Sequence, residues 1–163
     1  MRIIVLGVGN ILLSDEGVGV RAVEQLKHDY RLPAQVEVID GGTSAMEMLD
    51  DLAGVDHLII VDAVRSGQAP ATMVRIANED VPVFFKTKLS PHQIGLSDVL
   101  ATLTLMGEPP RGITVIGIEP VALGTAMALT PQVEALLPKV VEQLAKELRQ
   151  LGVTVARKVL EPA

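Results

Sequence analysis

The sequence contains no cysteine. That removes thiol nucleophiles, zinc–thiolate sites, iron–sulfur clusters and disulfide scaffolds, and it suits a reducing compartment. Positive charge is also scarce: 14 Lys and Arg against 20 Asp and Glu leave a net charge of −6. Lys and Arg form no block, so the electrostatic footprint of a nucleic-acid binder is missing. Long apolar runs are absent too. The opening IIVLGVGNILL is broken by Gly7, Gly9 and Asn10, no small-residue cleavage site follows, and Ser14-Asp15-Glu16 comes next. It reads as a buried first strand, not a signal peptide. No stretch approaches the ~20 apolar residues of a membrane helix, so no membrane insertion is expected and the expected location is cytoplasmic. The glycine motifs are incomplete. Gly7-Val8-Gly9 needs a third glycine at position 12, where Leu12 stands, and there is neither a Walker motif nor a G-x-S-x-G elbow.

What is present is a chain of 163 residues, 48% of them hydrophobic. That length suits one domain over residues 1–163, with enough apolar surface for a sizeable core. Short runs rich in Ile and Val at Arg2–Val8, Gln35–Asp40, Asp56–Asp62, Ala71–Ile76 and Gly112–Ile118 are apolar on both faces. Strands covered on both sides read this way. Helical stretches lie between most of them, predicting a doubly wound α/β layer sheet. Only a short turn with Gly67 and Pro70 separates Asp62 from Ala71. No helix fits there, so that strand is expected to pair antiparallel and the sheet to be mixed.

Helix starts are marked by Ser44 with Glu47 and by Ser90 with Gln93, both in capping-box spacing. Pro91 falls on a first helical position, and Thr130-Pro131 repeats the cap-then-proline pattern. The last helix carries Val133, Leu136, Leu137, Val140, Val141, Leu144, Leu148 and Leu151 on one stripe, with polar residues opposite. Residues 77–89 show no clear period and read as a long loop holding Phe84 and Phe85, an aromatic pair expected to pack inward.

In an open α/β sheet, ligands bind beyond the carboxyl ends of the strands. There the first strand leads to Ser14-Asp15-Glu16, the second ends at Asp40-Gly41-Gly42-Thr43 and the third at Asp62, while His92 enters from a helix start. Two carboxylates and an imidazole suit zinc, nickel, cadmium or a similar divalent ion with open positions. At the positive end of a helix dipole, His92 is held toward the neutral form that binds metal. Each residue also has a plain alternative: a turn cap for Asp62, a dipole partner for Glu16, a packed ring for His92 and a simple turn for Asp40. His28, among charges, and His57, opening the third strand, read as structural or solvated.

These segments resemble the hydrogenase maturation protease family. The likeness runs through Gly7-Val8-Gly9-Asn10-Ile11-Leu12-Leu13-Ser14-Asp15-Glu16-Gly17-Val18-Gly19-Val20-Arg21, then Asp40-Gly41-Gly42-Thr43, the strand His57–Asp62, and Ser90-Pro91-His92-Gln93-Ile94-Gly95-Leu96. It is strongest toward the hydrogenase-2 type. The resemblance implies a three-layer α/β/α fold around a mixed, mostly parallel five-stranded twisted sheet. It implies an endopeptidase that removes the C-terminal extension of the nickel-loaded large-subunit precursor of a nickel–iron hydrogenase, and that precursor is the expected partner. Glu16, Asp62 and His92 match the family's catalytic and metal-binding residues. Asp40, Gly41 and Gly42 match a segment near the same cleft and are carried as substrate contacts. Nickel is expected to arrive with the substrate, with cadmium or zinc able to replace it in crystals. The alternative is a nickel-checking chaperone that grips the precursor without cutting.

Overall fold

The computed structural model describes residues 1–87 and 91–158, apart from the side chains of Ala45, Val83 and residues 85–95. In chain order the elements are strand β1 (Ile3–Val8), helix α1 (Val18–Asp29), strands β2 (Tyr30–Arg31) and β3 (Val36–Gly42), helix α2 (Leu49–Leu52), strands β4 (His57–Ala63) and β5 (Met73–Ala77), helices α3 (Asp80–Thr87) and α4 (Pro91–Leu105), strand β6 (Gly112–Ile118), helix α5 (Pro131–Gln150) and strand β7 (Ala156–Arg157). Two 3-10 turns, Ser14–Gly17 and Ala45–Met48, precede α1 and α2.

The main sheet has the order β3-β1-β4-β6-β5. β3, β1, β4 and β6 run parallel, and β5 pairs antiparallel with β6 at the edge. The expected five strands and the antiparallel edge are therefore present. The chain moves outward from β1 to β3, then returns to the far side of β1 to lay down β4. This reversal opens a crevice at the carboxyl ends of β1 and β4.

Alternation along the strands divides the core. Ile3 and Val5 of β1 and Ile59 and Val61 of β4 pack with α1 and α5. Ile4, Leu6, Leu58 and Ile60 point the other way, onto Leu52, Val81, Leu96, Val99 and Leu103 of the second helical layer. Period-two burial with helices on both faces is the three-layer α/β/α arrangement. Contact between α1 and the sheet is close because Gly19 lacks a side chain. A Cβ there would run into the carbonyl oxygens of Val8 and Val61.

Several expectations change. Residues 77–89 are not one long loop, since α3 occupies Asp80–Thr87. Pro82 falls in its first turn, where a missing N–H breaks no helical bond. Val81 is fully buried and Phe84 packs against the second core. Ser44 makes no side-chain cap; it precedes a 3-10 turn and accepts the Glu47 N–H through its own carbonyl. Ser90 lies outside the described residues. Thr130 does precede α5, with Pro131 at the first position, but its hydroxyl caps nothing in that helix. The stripe on α5 is buried or partly buried as expected, yet it also includes Glu147, which is 4% exposed. The small antiparallel pair of β2 and β7 was not expected.

Candidate functional site

The site is built around the crossing of β1 and α1. Beyond Val8 the chain turns at Gly9, whose φ is +136°. A Cβ at Gly9 would collide with the Glu16 carbonyl oxygen. Glycine therefore lets the Glu16 backbone rest on the strand end. Asn10 shapes the intervening loop, its side-chain oxygen accepting the Leu12 N–H at 2.9 Å. The Leu13 N–H donates to the Asn10 carbonyl at 3.1 Å, and the Glu16 N–H to the Leu13 carbonyl at 3.2 Å. Ser14 takes the uncommon φ of +51° at the start of the turn. Glu16 emerges half-buried, and its turn packs against β4.

Asp62 stands near the end of β4, paired across to Gly117 of β6. It is fully buried, at 0% exposure. Leu58 and Ile60 face the layer that holds α4, and strand alternation puts Asp62 in the same row. His92 is the second residue of α4. Its backbone thus belongs to the helix layered over that face, in the first turn, as the sequence predicts. Its side chain lies outside the described residues. Among the described residues, no three of His, Asp and Glu form a metal-holding group. Glu16 and Asp62 are the two described members of the expected set. Both supply hard oxygen donors that fit a divalent ion with room for further ligands.

Asp40 and Gly42 line a cavity of about 370 Å³ together with Gly9, Asn10, Ile11 and Leu12. A register shift between Gly7 and Val8 leaves Gly41 without a partner on β1. Gly41 is buried against the Leu6 side chain, behind the cavity wall. Gly42 has φ +51°, and its N–H donates to the Asp40 carboxylate at 3.0 Å. The Gly42 carbonyl accepts the Gly9 N–H at 2.8 Å, tying the two walls together.

Asp15, passed over in the sequence beside Glu16, has a heavily bonded carboxylate. It is 0% exposed. Its Oδ2 accepts the N–H groups of Val121 and Ala122 at 2.8 and 3.0 Å. Its Oδ1 accepts the Thr130 N–H at 2.8 Å. The Thr130 hydroxyl lies 3.0 and 2.8 Å from the two oxygens. The oxygens of this buried carboxyl group are thus met by donors from three residues. These partners are over a hundred positions away, so no local pattern announces them.

The other histidines stand apart. His57 opens β4 at the opposite end, with Nε2 3.0 Å from the Thr114 hydroxyl. Burial holds its pKa below the ordinary value, and the Arg75 charge adds to this against the opposing pull of Glu147. His28 is exposed beside Asp29, at 2.9 Å.

Comparison with known proteins gives a consistent set of likenesses. The profile of the family described as hydrogenase maturation protease matches residues 20–147. The chain is 52% identical over 154 residues to the hydrogenase 2 maturation protease of Escherichia coli K12, covering 94% of each. It is 41% identical over 158 residues to the hydrogenase expression/formation protein HupD of Rhodobacter capsulatus, covering 96% of this chain and 75% of that one. Its fold superposes on the hydrogenase maturating endopeptidase HybD from E. coli with a TM-score of 0.93 at 50% identity, over 97% of this chain and 98% of that one.

Proposed function

Because this chain belongs to the hydrogenase maturation protease family, we propose that it is the endopeptidase that trims the C-terminal extension from the nickel-loaded large-subunit precursor of a nickel–iron hydrogenase. Residues 1–163 act as one protease domain in this reading. Among the described residues no helix is long and apolar enough to cross a membrane, which accords with cleavage in the cytoplasm.

The reading is supported by what stands at the switch between β1 and β4. The Glu16 turn rests on β4, buried Asp62 stands near the end of that strand, and α4, with His92 in its first turn, covers the same face. Glu16, Asp62 and His92 would hold the nickel that the precursor brings. An ion shared between the protease and the precursor fixes the scissile peptide beside the carboxylates, so orientation supplies much of the rate. The chain has no cysteine to serve as a thiol nucleophile, and the nucleophile in this reading is water. Glu16 is the better placed of the two acids to accept its proton, because it remains partly open to solvent. The proton then passes to the departing amine. Asp40 and Gly42, which line the neighbouring cavity, would contact the extended peptide.

The test is processing of purified nickel-loaded precursor. Glu16→Gln, Asp62→Asn and His92→Ala should each abolish shortening while leaving the circular dichroism spectrum unchanged. Normal cleavage by all three would reject the site. A stable complex with no shortened product, formed by the unsubstituted protein, would make it a chaperone.

A further inference from the structure

The segment between β6 and α5, residues 119–130, has no regular secondary structure apart from one bridge, and residues 124–128 are all exposed. Such a stretch normally has little to hold it still. Here it is fastened along its length to the turn that carries Glu16. Asp15 takes the N–H groups of Val121, Ala122 and Thr130 and the Thr130 hydroxyl. The Ser14 N–H donates to the Ala126 carbonyl at 2.8 Å, and the Ala126 N–H to the Leu12 carbonyl at 3.1 Å. The Ser14 hydroxyl donates to the Ala128 carbonyl at 3.0 Å. The Arg21 guanidinium donates to the Met127 carbonyl at 3.0 Å.

The fastening buries few side chains of the segment. Instead it presents apolar ones to solvent, with Val121 39% and Met127 66% exposed beside Leu12 at 52%. Leu12 also lines the cavity next to the Glu16 turn, and the Ala126 N–H bond to the Leu12 carbonyl joins the segment to that lining. Rigid, exposed and apolar surface beside a cleft that must receive another protein is the character of a docking site.

We propose that residues 119–130, clasped by Asp15, form a docking wall for the large-subunit precursor, with Leu12, Val121 and Met127 seating an apolar strip beside the scissile segment. Asp15 is a positioning residue: it acts through the wall it fixes. The proposal rests on the reading of Glu16, Asp62 and His92 as the cleavage site.

Initial rates on nickel-loaded precursor would be measured for Met127→Asp, Asp15→Asn and a control, Met106→Asp. Met106 is 49% exposed and follows α4 at the opposite end of the sheet. Met127→Asp should raise KM about tenfold with kcat and thermal midpoint unchanged. Asp15→Asn should raise KM similarly and also lower the midpoint. The Met106 variant should match the parent protein. A parental KM for Met127→Asp, in a protein that Glu16→Gln inactivates, would overturn the wall and leave the cleavage site standing. Full cleavage by Glu16→Gln would remove the site reading on which the wall depends.

Discussion

The two ends of the sheet both bury acid, and they do so differently. At the amino end of β4 and β6, Glu147 of α5 is answered by charge. The Arg75 guanidinium donates to both of its oxygens, through Nη2 at 3.1 Å and through Nε, and the Gln143 amide adds a third bond at 2.9 Å. Burial raises the Glu147 pKa, but those donors outweigh it and hold the carboxyl below its usual range. At the carboxyl end, Asp15 is answered by backbone N–H groups and one hydroxyl. Asp62 lies fully buried within the same crevice region. A cation-paired acid is a closed structural unit whose charge is already cancelled. The Asp15 carboxylate meets neutral donors instead, and in the proposed function the carboxyl end is the one that receives a cation carried by a partner. The two ends therefore differ in chemistry, and the proposed function gives them different purposes.

Substitutions should separate them. The largest effect belongs to Asp62→Asn, which should slow cleavage of the nickel-loaded precursor by about a thousandfold or more; single-turnover rates would measure it. Next comes Gly19→Ala. Its Cβ would strike carbonyls of both β1 and β4, so denaturant unfolding should show a loss of about 3 kcal/mol, the upper end for overpacking. Glu147→Gln should show the converse of Asp62→Asn, with cleavage unchanged and stability lower by about 2 kcal/mol. Arg75 is half-exposed, so solvent softens the loss of its partner. The smallest effect is the pH response of His57. Its pKa is lowered in the folded state from an ordinary value of 6.5. The unfolded chain therefore takes up a proton that the folded chain refuses. Stability should hold above that value and fall as pH drops below it. Urea midpoints at pH 7 and pH 5 should differ less in His57→Gln than in the parent.

Much of the fold was legible because strands covered on both faces leave unbroken Ile and Val runs. Each of the five main strands was found within two residues of its observed bounds, and the short turn after Asp62 announced the antiparallel edge. α3 escaped notice because Pro82 and the pair Phe84-Phe85 obscured its period. β2 and β7, two residues each, are too short to leave one. At the site, topology brought Glu16 and Asp62 to the same end of the sheet, and the family likeness singled them out with His92. Asp15 and Glu147 were invisible for one reason. Each is explained by partners remote in the chain, and a polar residue in a turn or on a helix is read as solvated until those partners are seen. Glu147 in particular lies on the α5 stripe, where its burial depends on an arginine 72 positions away.

The central claim is that Glu16, Asp62 and His92 meet around one divalent ion. A crystal of the protein soaked in cadmium tests it most directly, through the anomalous peak and the side chains within bonding distance. The account predicts a single strong peak touched by both carboxylates and the imidazole. A peak elsewhere, or a His92 ring turned away from an ion bound at the two acids, would contradict it.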